Sequence, residues 1–241
     1  MLSTKDLALL GQKGISEKQI EEQLDCFRKG FPFLEIMASA SVEKGISVID
    51  KEAQVGYMEA WDAYLNQNKR ILKFVPASGA ASRMFKDLYE FLDSDSNEPF
   101  SPFMEKFFAG LTSFAFYNAL DAVCLKNEKR TIPQLLSDKE YKAVVNNLLS
   151  SGGLNYGQLP KGLLQFHTYP ACVRTAMEEH LAEGAMYAKN NAAEVNIHFT
   201  VSPEHKALFE QLVAAKVPAY ENKFSVCYDI TFSVQTPSTD T

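Results

Sequence analysis

The chain has 241 residues, of which 46% are hydrophobic and 22% are charged, and these values exclude collagen-like, disordered and low-complexity proteins. Its 24 basic and 30 acidic side chains give a net charge of −6, which argues against a protein that binds nucleic acid by neutralising phosphates. The length is enough for one large domain, or for a core with a subdomain.

A membrane or secreted location is not expected. The most apolar stretch, residues 107–125, contains Asp121, and an Asp near the centre of a membrane-spanning helix costs about 2.5–3.5 kcal/mol. The stretch is therefore predicted to be buried in the protein core. The N-terminus lacks the basic start and the apolar run of a signal peptide. Four scattered cysteines without a CxxC pair favour reduced thiols and a cytoplasmic protein.

Residues 1–68 are predicted to be a helical region that packs on the main domain. Ser16 and Gln19 form a capping-box pattern at the start of one helix, and Gly30 ends that helix. Asp50 is the predicted N-cap of a second helix. We find no motif with catalytic chemistry in this region.

Residues 69–241 predict an α/β domain with a mostly parallel sheet. Strand-like patterns occupy residues 71–76, 195–201 and 224–234. Helical patterns occupy residues 85–92, 103–126, 138–149 and 172–188, and a further helix follows Ser202. Strands that are separated by helices favour parallel pairing. Residues from about 93 to 155 are predicted to be a helical insertion.

A loop of small residues links the first predicted strand to the helix after it. Its sequence is Ala77-Ser78-Gly79-Ala80-Ala81-Ser82, and Arg83 follows. The order strand, tight loop, helix places phosphate groups at a helix N-terminus, because small side chains let backbone N–H groups approach the anion. The pattern therefore predicts a phosphate site here. The alternative for Arg83 is a salt bridge to a neighbouring helix.

Four segments in order resemble the sugar-phosphate nucleotidyltransferases. Pro76 to Met84 is similar to their loop L-A-G-G-x-G-T-R-[LM], with Ser78 and Ala81 in place of two glycines. The segment 159–164 resembles their Pro-Lys pair, but it lies about eighty residues after the loop. Residues 197–205 and 230–237 are similar to two strands of the UDP-sugar pyrophosphorylase branch. The resemblance implies a Rossmann-like GT-A arrangement of the α/β domain.

The reaction that this resemblance implies is uridylyl transfer from a nucleoside triphosphate to a sugar 1-phosphate, with release of pyrophosphate. It assigns Arg83 to the β- and γ-phosphates and Lys161 to the α-phosphate or the sugar phosphate, as the catalytic cations. It assigns the triphosphate to Ala77, Ser78, Gly79, Ala80, Ala81 and Ser82. Gln235 would read uracil, and Thr200 and Ser202 would contact the substrate.

Two elements of that family do not occur in these 241 residues, namely a Gly-rich nucleobase segment and an Asp that binds Mg²⁺. We therefore expect Mg²⁺ only if the protein continues past Thr241 and supplies that Asp, in which case the domain is incomplete at its C-terminus. The alternative is a non-catalytic module that binds a nucleotide or a nucleotide sugar. Lys161 could also lie in a solvated loop without a ligand.

His180 and Glu183 share a helix face, but without a third ligand at diagnostic spacing a surface role is favoured over a metal site. The whole chain also looks like the N-terminal part of an uncharacterised bacterial family that is known only as a domain of unknown function. The identity of the sugar and the oligomeric state stay open.

Overall fold

The structure is a computed structural model that describes residues 2–67, 69–99 and 101–236. It divides into two compact units. The second unit runs from Arg70 to Val234, and the described residues on either side belong to the first unit.

The first unit contains α1 (Thr4–Gln12), α2 (Glu17–Lys29) and α3 (Lys51–Leu65). The predicted start and end of α2 are confirmed, because Ser16 and Gln19 form the capping box and Gly30 ends the helix at φ +76°. Asp50 caps α3, as predicted, by accepting the N–H of Ala53 at 2.8 Å. Helix α1 was not predicted. Its own capping box starts at Ser3.

The second unit alternates strands and helices. Its elements are, in chain order, β1 (Leu72–Pro76), α4 (Lys86–Asp93), α5 (Pro102–Ala109), α6 (Tyr117–Glu128), α7 (Ile132–Ser137), α8 (Tyr141–Leu149), β2 (Gln165–Tyr169), β3 (Cys172–Thr175), α9 (Ala176–Tyr187), β4 (Glu194–Val201), α10 (Lys206–Phe224) and β5 (Cys227–Val234).

Three of the described strands form a sheet in the order β1-β4-β5. Both pairs of neighbouring strands in this sheet are parallel. Pro76 is opposite Thr200, and Val201 is opposite Val234, so all three strands end at the same edge of the sheet. We call this the carboxyl edge. Strands β2 and β3 form a separate antiparallel pair. The α/β class and the parallel sheet are thus confirmed, while the GT-A arrangement stays a prediction.

Three of the predicted helices have clearly different bounds in the structure. The predicted helix 138–149 begins only at Tyr141, because Asp138 ends α7. The predicted helix 103–126 is divided, because Gly110 ends α5 and a short 3-10 turn precedes α6. The predicted helix 172–188 begins only at Ala176. Thr175 caps α9 there through a capping box with Glu178, and the four residues before α9 pair with β2 instead.

Two apolar clusters stabilise the second unit. One lies between the sheet and the helices α9 and α10, and its centre is Phe199 on the middle strand. The other lies among helices α4 to α8 and includes the predicted apolar stretch, with Phe107, Leu120 and Cys124 buried. The prediction that this stretch is buried is therefore confirmed for these residues, whereas Phe114 and Leu125 of the same stretch are 38% and 50% exposed. Within the described parts of the chain, we find no helix that is long and apolar enough to cross a membrane.

Candidate functional site

The small-residue loop, residues 77–82, leaves β1 at the carboxyl edge and is anchored at both ends. The N–H of Ala77 donates a hydrogen bond to the carbonyl of Thr200 at 2.8 Å, and the Ala77 side chain packs in the cluster under the sheet. At the other end Ala81 and Phe85 are buried in the helical cluster. Between these anchors Gly79 and Ala80 are exposed. The loop therefore presents its backbone to solvent from a fixed position.

The segment around Lys161, residues 159–163, lies directly against this loop. The N–H of Lys161 donates to the carbonyl of Gly79 at 3.0 Å, and Pro160 forms a β-bridge with Ala80. Gly162 fits closely against α10, because a Cβ at this position would lie 2.8 Å from Cζ of Phe209. The structure thus brings together two segments that are about eighty residues apart in the chain.

Several backbone N–H groups of the loop have no acceptor. The N–H groups of Ser78, Gly79, Ala80 and Ser82 donate no hydrogen bond to any acceptor within residues 2–67, 69–99 and 101–236. Unpaired N–H groups that are open to solvent can donate to the oxygens of an anion. The loop is followed by a 3-10 turn, Ser82–Phe85, and α4 begins only at Lys86, so the loop does not lead directly into an α-helix as expected. The phosphate site stays a prediction.

The two predicted cations also carry no counter-ion. Within the described residues neither the guanidinium of Arg83 nor the ammonium of Lys161 forms an ion pair or a side-chain hydrogen bond, and both residues are exposed. Lys86, three residues after Arg83, instead pairs with Glu90 on its own helix at 3.5 Å. The salt bridge considered for Arg83 therefore has no partner in the described chain.

Thr200 and Ser202 lie at the end of the middle strand, next to the loop. The backbone carbonyl of Thr200 holds Ala77, as described above. The hydroxyl of Ser202 lies 2.7 Å from Nδ1 of His205, and it makes no capping bond to the backbone of the helical turn that follows. Sequence reasoning missed His205. Its spacing of three residues after a serine at a strand end is the signal that could have found it.

Gln235 follows directly after the last residue of β5 and belongs to the first unit. Its predicted role in reading uracil stays a prediction.

The described part of the chain contains no group of three or more His, Cys, Asp or Glu side chains that could hold a metal ion. Mg²⁺ is commonly bound by one or two carboxylates together with the phosphates of a substrate. The expectation for Mg²⁺ therefore stays a prediction.

Comparison with known proteins identifies the family. The family model described as Domain of unknown function (DUF4301) matches residues 3–241. The chain belongs to this family. The predicted resemblance to an uncharacterised family is thus confirmed, whereas the comparisons provide no evidence for the nucleotidyltransferases. No curated protein and no solved structure matches the chain significantly.

A second polar cluster in the DUF4301 chain joins β1 to α9. The Lys73 ammonium donates to Oε2 of Glu183 and to the hydroxyl of Tyr187, and Nδ1 of His180 lies 3.2 Å from the same Oε2. Glu179, which precedes His180 on the same helix, contacts Arg174 and Tyr169. Both carboxylates thus form hydrogen bonds or ion pairs with protein groups. The cluster therefore connects β1 to α9, and a metal site is not favoured.

The cluster predicts that the DUF4301 chain is less stable in acid. The hydrogen bond from Lys73 lowers the pKa of Glu183, and burial followed by the charge of Lys73 lowers the pKa of His180. Both groups bind protons more readily in the unfolded chain, so the free energy of unfolding falls below pH 6.5 through His180 and below pH 4.5 through Glu183. Because the groups are partly exposed, each contributes about 1 kcal/mol or less.

Urea denaturation of the wild type and of His180→Gln at several pH values between 7.5 and 4.5 tests this prediction. We expect the difference in unfolding free energy between the two proteins to change with pH, with the wild type losing more stability as the pH falls. A difference that is constant over this range would contradict the assignment of His180.

Proposed function

We propose that this chain binds the triphosphate of a nucleoside triphosphate at the carboxyl edge of its sheet, and that the site serves uridylyl transfer to a sugar 1-phosphate. The observation that carries the proposal is the contact between the small-residue loop and the Lys161 segment. The hydrogen bond from Lys161 to Gly79 joins the two segments in which the resemblance places the phosphate-binding groups. In α/β proteins with parallel sheets, ligands bind outside the carboxyl ends of the strands.

The chemistry of the site suits phosphate groups. Phosphoryl and nucleotidyl transfer need little covalent help, and they depend on cations and N–H donors that hold the phosphate oxygens in position. The loop offers unpaired N–H groups, and Arg83 offers a guanidinium that matches two phosphate oxygens at once. Lys161 adds a single positive charge on a long side chain. Because neither cation has a protein counter-ion in the described residues, both are available to a ligand.

A second candidate is a module that binds a nucleotide or a nucleotide sugar without catalysis. The observation that favours it is that Ser78 and Ala81 stand where the loop of the nucleotidyltransferases has two glycines. The two candidate functions share the phosphate site. They differ only in whether the bound nucleotide reacts with a sugar 1-phosphate. Binding and turnover therefore have to be measured separately.

Isothermal titration of UTP tests the shared phosphate site. Loss of a hydrogen bond to a charged group costs about 1.5–3 kcal/mol, so Arg83→Ala and Lys161→Ala should each raise the dissociation constant about tenfold or more. Lys86→Ala is the matched control. It removes an exposed lysine near the loop whose charge is already paired with Glu90, and we expect the affinity to change by about twofold at most.

Two outcomes would contradict the proposal. One is a wild-type protein that does not bind UTP, and the other is an affinity that stays the same in both Arg83→Ala and Lys161→Ala. If UTP binds as expected, release of pyrophosphate from UTP and a panel of sugar 1-phosphates distinguishes the candidates. Turnover that is lost in the two variants favours the transferase, and binding without turnover favours the module.

A further inference from the structure

The contact between Ser202 and His205 has a feature that helix capping does not explain. A serine before a helix ordinarily accepts a backbone N–H of the first turn with its hydroxyl. Here the turn after Ser202 is held by the backbone alone, with the N–H of His205 donating to the carbonyl of Ser202 at 3.1 Å. The hydroxyl instead meets Nδ1 of His205 at 2.7 Å, and both side chains are half-buried. The tautomer of the imidazole therefore decides which of the two groups donates, while Oε1 of Glu204 lies 4.0 Å from the same Nδ1.

Ser202 and His205 lie between β4 and α10, and both of these elements also contact the segments of the proposed phosphate site. Ser202 follows β4, and the carbonyl of Thr200 on that strand holds the start of the small-residue loop. On the other side of the pair α10 begins, and its residue Phe209 is the surface against which Gly162 packs. Neighbouring strands lie about 4.8 Å apart, so a group at the end of β4 is one strand away from a ligand held at the end of β1.

Only one tautomer of His205 leaves the proton of the Ser202 hydroxyl available to a ligand. A serine hydroxyl has a single proton. If it donates that proton to Nδ1, it cannot donate a hydrogen bond to a ligand. If the imidazole carries its proton on Nδ1, that N–H donates to Oγ, and the hydroxyl proton is free to point at a ligand oxygen. Such a hydroxyl can donate to a phosphate oxygen.

We propose that His205 is a positioning residue that directs the hydroxyl of Ser202 toward the phosphate of the sugar 1-phosphate acceptor. The inference rests on the proposed function, since it places the acceptor phosphate beside the triphosphate. In-line attack requires the two phosphate groups to be close, and the end of β4 is the neighbouring position on the same edge. The nucleotide itself is held by the loop, Arg83 and Lys161. Changes at Ser202 or His205 therefore weaken binding of the acceptor phosphate and leave UTP binding unchanged.

Titration with inorganic phosphate, the minimal analogue of the acceptor phosphate, tests this inference in the presence of saturating UTP, which occupies the loop, Arg83 and Lys161. We expect Ser202→Ala and His205→Leu each to weaken phosphate binding about tenfold, with UTP affinity unchanged within about twofold. The double variant should bind phosphate no more weakly than Ser202→Ala, because His205 acts only through the hydroxyl. His205→Asn, which keeps an N–H donor near the position of Nδ1, should recover most of the affinity.

The outcomes separate the inference from the proposed function. Phosphate binding that is unchanged in His205→Leu, or equal losses for UTP and phosphate, would overturn the positioning role. So would additive losses in the double variant, or a wild-type protein that does not bind phosphate. A wild type that binds phosphate through Ser202 but does not bind UTP would overturn the proposed function and leave the role of His205 intact.

Discussion

Replacing Phe199 by Ala is expected to lower the free energy of unfolding by about 3–5 kcal/mol. The Phe199 ring is fully buried on the middle strand of the sheet, and it stacks on Phe232 of the neighbouring strand with ring centres 5.7 Å apart. It also packs against Phe209 of α10 at 6.4 Å. Truncation loses the apolar burial of the ring and leaves a cavity that these fixed neighbours cannot fill.

Urea denaturation followed by circular dichroism measures this loss. Phe74→Ala is the matched control, because Phe74 is an aromatic residue on the adjacent strand whose side chain is 58% exposed. We expect the control to cost about 1 kcal/mol or less. Similar losses in the two variants would mean that the apolar cluster between the sheet and α10 is not the main source of stability of the sheet.

The second large effect is expected at Gly153. A Cβ at this position would lie 1.9 Å from the backbone oxygen of Asn147 on α8, so the backbone has to move. Movement is resisted because Asn147 is held by side-chain hydrogen bonds to Asn127 and Glu128 at 2.7 and 2.8 Å, and the N–H of Leu154 donates to the same backbone oxygen at 2.8 Å. Overpacking together with a lost hydrogen bond predicts that Gly153→Ala is destabilised by about 3 kcal/mol.

The neighbouring glycine provides the control for this experiment. A Cβ on Gly152 meets no atom within 4 Å, so Gly152→Ala should change the unfolding free energy by about 0.5 kcal/mol at most. Thermal denaturation of the two variants side by side is sufficient. If both variants had the same melting temperature as the wild type, the inference that this turn packs closely on α8 would be wrong.

Local signals in the sequence predicted much of the fold. The capping box of Ser16 with Gln19 and the cap at Asp50 are contacts between residues three positions apart, so the pattern itself contains both partners. The alternation of apolar residues likewise predicted β4 and β5, since the period of two follows directly from the geometry of a strand. The small-residue loop after β1 was found in the same way.

Short or interrupted elements were not predictable by these signals. The hairpin of β2 and β3 has only five and four residues in its strands, too few to establish a periodic pattern, and its second strand continues into α9. The predicted helix 103–126 is divided at Gly110, and around the division Phe107, Phe114 and Phe116 pack on one another with ring centres of successive pairs 5.5 and 5.1 Å apart. Such packing depends on neighbours in space.

The α/β class, the parallel strands and the position of the small-residue loop could thus be predicted from the sequence alone, because each depends on residues that are close in the chain. Only the tertiary structure placed Lys161 against Gly79, since the helices α4 to α8 intervene and no local rule states where a chain returns. It also left Arg83 without a counter-ion among the described residues and turned the Ser202 hydroxyl toward His205. These features depend on which side chains meet in space, and pairing of charges and hydroxyl groups is decided only when the packed core brings them together.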